Sequence, residues 1–200
     1  MKRIPQGAAG KRAPFIFYLM LAALIGAASI AVPPVQAAEQ AAPAEKNPPG
    51  DIPDSQVFVT YKSPLGFSLK VPEGWARTDR PDGVGFADKF NLIDLAVSPA
   101  ASAPTVASVT ANEAAALAKT GRAVKITAIK SVKRQAGTAI LIAYTSNSAP
   151  NPVTSKQLRL EHHRYLFYHG GKVATLDMSA PLGADNADQW LLMANAFRWD

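Results

Sequence analysis

The sequence predicts an α+β domain in which an antiparallel sheet carries helices on its faces. Two observations carry this: apolar–polar alternation in short runs punctuated by Pro/Gly turns, and longer strand-like runs between residues 124 and 179. A third is a pair of helical patterns, one alanine-rich and one with a single apolar stripe.

In chain order, Val57, Val59 and Tyr61 alternate with Phe58, Thr60 and Lys62. Pro64-Leu65-Gly66 then turns the chain into Phe67, Leu69 and Val71, which alternate with Ser68 and Lys70. Pro72-Glu73-Gly74 closes that strand, with Trp75 placed to cover the end of the core. Arg80-Pro81-Asp82-Gly83 is a turn, because Pro presets φ and Gly tolerates positive φ. Ile93, Leu95 and Val97 alternate with Leu92, Asp94 and Ala96. The first helix is expected to begin at Thr110, where Thr110-x-x-Glu113 reads as a capping box ahead of the run Ala111–Lys119, with Gly121 as its C-terminal stop. Three strands follow, Val124–Arg134, Thr138–Ser146 and Gln157–His169. Ala139–Ala143 is apolar on both faces, as a central strand covered on both sides requires. Lys172–Ser179 is the last strand. In the closing helix, capped by Asp185, Trp190, Met193, Ala194 and Phe197 repeat at helical spacing for packing on a sheet.

The chain ahead of this domain has the composition of an export signal. Lys2, Arg3, Lys11 and Arg12 precede an uncharged stretch from Ala13 to Gln36. Pro33 and Pro34 break it, and Val35-Gln36-Ala37 supplies a small-residue cleavage site between Ala37 and Ala38. Residues 1–37 are therefore expected to be a signal peptide, and the rest of the chain periplasmic or secreted, or membrane-anchored where the leader is retained as an anchor. Residues 38–54, rich in Ala and Pro, are expected to be a flexible linker, since Ile52 is their one aliphatic side chain larger than Ala. Residues 55–200 form the expected domain.

Composition excludes several classes of function. Without cysteine there is no disulfide scaffold, thiolate zinc site, iron–sulfur cluster or cysteine nucleophile. The formal charge of +6 is concentrated at the start of the chain. Taking the four leader cations from 21 basic residues leaves 17 against 15 acidic, too mild a balance to imply nucleic-acid binding.

The segment Ser63-Pro64-Leu65-Gly66-Phe67-Ser68-Leu69-Lys70-Val71-Pro72-Glu73-Gly74-Trp75 resembles the PsbP-like superfamily. So does the ending, in which Ser179-Ala180-Pro181-Leu182 is followed by Trp190 and then Ala196-Phe197-Arg198-Trp199. That group includes the extrinsic PsbP subunit of photosystem II, LpqN-type exported lipoproteins and a Ran-binding nuclear protein. The resemblance spans Val57 to Trp199 and implies an α/β/α sandwich around a central antiparallel sheet. It also implies partner binding rather than a shared catalytic centre. This chain departs from the lipoprotein members in having no cysteine to acylate.

The residues themselves offer few reactive constellations. His162 and His163 are adjacent, so on a strand they point to opposite faces. His163 and His169 share a face but stand about 20 Å apart at roughly 3.3 Å per residue. Structural histidines are the expectation and no metal or cofactor is assigned; a Glu161–His163 pair, and a periplasmic protein that binds a small ligand or a metal in a pocket beneath a helix through His163, Glu161 or Tyr165, form the alternative reading. Gly83-Val84-Gly85 lacks the third glycine and the helix start of a phosphate cradle. Asp82, Asp88 and Asp94 are not joined by a calcium loop. No nucleophile elbow or zincin helix is present, so a hydrolase, the third reading, needs a site assembled from distant residues. The chain reads as a non-enzyme.

The least random feature is the absence of acidic residues between Glu113 and Glu161, an interval that holds Lys119, Arg122, Lys125, Lys130, Lys133, Arg134, Lys156 and Arg159. Gathered on one edge, these would attract an acidic envelope protein or an anionic membrane surface, with Lys130, Lys133 and Arg134 as the partner-binding residues. The plainer reading is an edge strand protected by lysines. The loops Pro99–Val109 and Asn147–Thr154 are long enough to carry recognition. The expectation is an exported accessory protein that binds another envelope component through its surface and loops.

Overall fold

The structure, a computed structural model, describes residues 39–200. The expected signal peptide and the junction between Ala37 and Ala38 lie outside the described residues. Among the described residues, ten strands form two antiparallel sheets. The larger has the order β3-β4-β5-β9-β8-β7-β6, from β3 (Ala76–Arg80), β4 (Gly83–Ala87), β5 (Leu92–Pro99), β6 (Lys125–Arg134), β7 (Gly137–Asn147), β8 (Arg159–His169) and β9 (Lys172–Pro181). The smaller places β2 (Phe67–Pro72) between β1 (Phe58–Ser63) and β10 (Arg198–Trp199).

One face of the large sheet packs on the small sheet and on helix α3 (Ala187–Ala196). Phe67, Leu95, Leu176, Met178, Met193 and Phe197 are fully enclosed in that core. Phe197 stacks on Phe167 with ring centroids 4.4 Å apart, so the residue that ends α3 fixes the helix to β8. The opposite face is covered by a single helical run: α1 (Val106–Val109), a π-helical turn (Thr110–Ala114) and α2 (Ala115–Thr120). Val109 and Leu117 of this run pack on Ile140, Ile142, Tyr144 and Leu166 of β7 and β8. The predicted antiparallel sheet with helices on both faces is the architecture found, with the small sheet sharing a layer with α3.

Several local expectations are corrected. The first helix starts at Val106, where Thr105 caps it: the Thr105 side chain accepts from the Ser108 N–H while Ser108 answers the Thr105 N–H. Thr110 lies inside the run, in its π-helical turn, and its hydroxyl donates to the Val106 carbonyl. Asn186, not Asp185, precedes α3. The strand through Ala139–Ala143 is covered on both faces as expected, yet it is second from the edge rather than central. β3 and β4 flank the predicted 80–83 turn. At Gly83 a Cβ would lie 2.1 Å from the Leu95 carbonyl oxygen, so only glycine allows β4 to approach β5 there.

Residues 39–53, expected to be a tether, run along the domain surface. Ile52 is buried, its N–H donates to Asn186 Oδ1 at 2.6 Å, and Asn186 Nδ2 donates to the Gly50 carbonyl. Polar bonds to buried side chains hold most of this strap.

Candidate functional site

The polar groups that converge most closely lie across β7, β8 and β9, on the face beneath the α1–α2 run. The β8–β9 turn at Gly170-Gly171 sets Arg164 opposite Asp177 and His162 opposite Ser179, and the β7–β8 register sets Tyr144 opposite His162. Asp177 is buried and accepts from four donors. Arg164 Nε and Nη2 reach Oδ2 at 2.8 and 2.5 Å, the Tyr144 hydroxyl reaches the same oxygen at 2.6 Å, and His162 Nδ1 stands 3.3 Å from Oδ1. Ser146 Oγ completes the chain, 2.8 Å from His162 Nε2. The His162 ring lies flat on Tyr144, with centroids 4.2 Å apart.

Burial by itself would raise the Asp177 pKa, but the hydrogen bond from His162 and the Arg164 guanidinium outweigh it and hold the carboxyl below its usual range. Burial and the neighbouring Asp177 charge push the Tyr144 phenol well above its ordinary value, so it stays a donor. An ionised Asp177 can only accept, so the proton in the His162–Asp177 bond is carried by Nδ1.

Ser146, His162 and Asp177 thus have the connectivity of a nucleophile, a base and an orienting acid. Three features separate them from a working triad. Ser146 is only 8% exposed. The amide after it, Asn147 N–H, donates to the Arg122 carbonyl at 2.8 Å and is not free to stabilise an oxyanion. Asp177 Oδ2 is taken up by Arg164 and Tyr144. The arrangement is a closed network that ties three strands together.

Towards β3 the same sheet face is a more open polar row. Arg80 pairs with Asp94 at 2.8 Å, and Asp94 stands opposite Asp177 in the β5–β9 register. The side chains of Arg80 and Asp94 are 35% and 40% exposed, against 24% for Arg164, so the row opens progressively to solvent.

The other predicted residues are dispersed. His163 faces the α3 core, edge-on to Trp190 at 5.1 Å and to Tyr165 at 6.4 Å. Burial, then the charges of Lys130 and Arg134, lower its pKa. Glu161 accepts the Gly183 N–H at 3.1 Å in place of the envisaged bond to His163. Tyr165 is buried in the core that α3 covers. Among the described residues no group of three or more His, Asp and Glu side chains gathers around a common point.

Lys130, Lys133 and Arg134 lie on β6, the last strand of the large sheet. Alternation places Lys130 and Arg134 on one face and Lys133 on the other. The Arg134 guanidinium lies over the Tyr165 ring at 5.2 Å and donates to its hydroxyl. Of the wider basic stretch, Arg122 and Lys156 pair with Glu39 and Glu45 of the strap. Arg159 is buried against the Ala123 carbonyl, Asn147 and Thr145.

Solved structures place this architecture. Mog1p, the Ran-binding protein of Saccharomyces cerevisiae, matches with a TM-score of 0.50 at 10% identity, over 72% of this chain and 96% of its own. The fold is PsbP-like. Cyanobacterial PsbP (CyanoP) from Synechocystis sp. PCC 6803 matches at 16% identity with a TM-score of 0.49, over 76% of this chain and 98% of its own. LpqN of Mycobacterium tuberculosis, described as involved in cell envelope biogenesis, matches at 14% identity with a TM-score of 0.43, over 72% and 90%. At such identities the likeness concerns the fold alone. No family model matches the chain, and no curated protein matches its sequence.

On this PsbP-like sheet the Ser146–His162–Asp177–Arg164 network escaped the sequence reading, because its bonded members sit 13 to 16 residues apart and meet only through strand register. One local signal was present. His169-Gly170-Gly171-Lys172 reads as a two-residue hairpin turn, and counting outward from it pairs Arg164 with Asp177.

Proposed function

We propose that this chain is a non-catalytic binding protein of the cell envelope that recognises another envelope protein through the surface of its large sheet. The observation that carries the reading is the charged row Arg80–Asp94–Arg164–Asp177, half-exposed at its β3 end on a sheet face where the α1–α2 run packs on β7 and β8. Charges of both signs, fixed in position by strands, suit recognition of a surface with the complementary alternation. The leader supports an address outside the cytoplasm, and among the described residues no helix is long and apolar enough to cross a membrane. Mog1p, described as Ran-binding, is a precedent for partner binding on this fold. The β6 edge, with Lys130, Lys133 and Arg134, is proposed as a second contact. Its cations are divided between two faces, which suits a protein partner better than a flat anionic membrane.

The test is mild crosslinking and co-purification of the full-length chain from its cells, compared with two charge-reversal variants. One carries Arg80→Glu and Asp94→Lys, the other Lys130→Glu, Lys133→Glu and Arg134→Glu. A stoichiometric envelope protein that is lost from the first variant supports the reading. The same yield of that protein from both variants and the wild type, or none from any, overturns it.

A further inference from the structure

The strap ends in a contact that is built like a receptor for extended peptide. The side-chain amide of Asn147 brackets Ala41: Nδ2 donates to the Gln40 carbonyl at 2.8 Å and Oδ1 accepts the Ala42 N–H at 2.8 Å. One residue of a parallel strand makes this pattern with its neighbour, so a side chain here stands in for backbone. Asn147 is only 4% exposed, and Arg159 Nη1 donates to its Oδ1 at 3.0 Å, which fixes the amide's orientation.

One position earlier, the Glu39 carboxylate accepts from Gln157 Nε2 at 2.5 Å and from Asn147 Nδ2 at 3.1 Å, and lies 3.4 Å from Arg122 Nη1. Hydrogen bonds from Asn147 and Gln157, with the Arg122 charge behind them, hold its pKa below the usual carboxylate range. The site therefore reads a carboxylate, then the carbonyl of the next residue, then the N–H two residues further on. Backbone bonds of this kind supply affinity, and the side-chain positions supply selectivity.

The resident strap fills the site poorly. Beside Ala41 lies a cleft of about 470 Å³ whose walls include Ala118, Gly121, Val124 and the cations Lys119 and Lys125. A methyl group occupies little of such a volume. The strap also has a separate anchor at Gly50–Ile52, so residues 39–45 can leave without disturbing the buried Ile52. Pro48 and Pro49 lie between residues 39–45 and the anchor and stiffen the intervening chain.

We infer that the Asn147–Gln157–Arg122 end of the domain is a binding site for an extended segment of a partner protein. That segment bears an acidic residue followed two positions later by a large aliphatic one, and residues 39–45 are a displaceable occupant that holds the site in its absence. The inference goes beyond the charged-row proposal, involves a different surface, and stands or falls separately from it. Because the strap is tethered, an incoming segment competes against a local concentration on the order of millimolar, and releasing the strap unmasks the site.

The test uses the full-length chain and a fluorescent peptide copying residues 39–46 with Ala41→Leu. The strap is released by the pair Glu39→Lys and Ala42→Pro, which removes the carboxylate and the bracketed N–H while leaving the Gly50–Ile52 anchor. Fluorescence anisotropy is expected to show at least tenfold tighter peptide binding by the released chain than by the wild type. A peptide that also carries Glu39→Lys is expected to lose at least tenfold, and this control does not depend on how any protein variant folds. The parent peptide, with Ala41 retained, is expected to bind more weakly than the leucine form. Equal binding by released and wild-type chains, or equal binding of the acidic and charge-reversed peptides, overturns the inference.

Discussion

Replacing Asp177 by Ala probes the network at its most connected atom pair. The carboxylate is buried and accepts from Arg164 twice, from Tyr144 and from His162. Hydrogen bonds to a charged group are each worth about 1.5–3 kcal/mol net, and stranding the partner of a buried pair costs about 3–5 kcal/mol. Two features reduce the figure. The Arg164 side chain retains 24% exposure, and the neighbouring Asp94 charge also favours its charged form. A loss of about 3 kcal/mol is expected, equivalent to a fall in Tm of roughly 6–12 °C for a chain of this size. Urea unfolding followed by the fluorescence of Trp75, Trp190 and Trp199 measures it. The pH dependence provides a second reading. The folded pKa of Asp177 is depressed, so its contribution is fully present above the unfolded value of about 3.9 and is lost as pH falls through the folded pKa. The gap between wild type and variant should therefore be constant above about pH 5 and narrow below pH 4. A loss under about 1 kcal/mol, or a gap that persists unchanged to pH 3, would refute the argument that these bonds outweigh burial. Combining Asp177→Leu with Arg164→Met should recover part of the loss, because no charge is then stranded.

Two further outcomes follow from the fold. Thr105→Ala should cost about 1 kcal/mol through loss of the helix cap, whereas Thr110→Ala, inside the helical run, should cost clearly less; equal losses in denaturant titrations would restore Thr110 as the start signal. The His163 imidazole, half-buried and facing Lys130 and Arg134, should titrate below the ordinary value of about 6.5 when followed by NMR. Since the unfolded chain takes up that proton first, stability should decline as pH falls from about 6.5, and His163→Gln should flatten that segment of the curve. A midpoint at or above 6.5 would contradict the burial argument.

The sequence by itself determined the elements whose side chains carry their own periodicity. Phe67, Leu69 and Val71 read as one face of a strand, and the same residues are buried in β2. Trp190, Met193 and Ala194 read as one stripe, and α3 buries all three. The fold class followed from such patterns, because burying an apolar face requires a partner layer. Tertiary structure decided the rest. β3, whose sequence is Ala-Arg-Thr-Asp-Arg, has no apolar alternation and exists as a strand because β4 pairs with it. The strap is held through Asn147 and Asn186, residues more than 100 positions away, which no local window includes. Lys130, Lys133 and Arg134 are neighbours in sequence but are parted by the two-residue period of β6. Ser146, His162 and Asp177 are distant in sequence but brought together by register. Local pattern specifies which face of an element is buried. Which polar groups then meet is set by strand order and register, and those come from the packing of the whole chain.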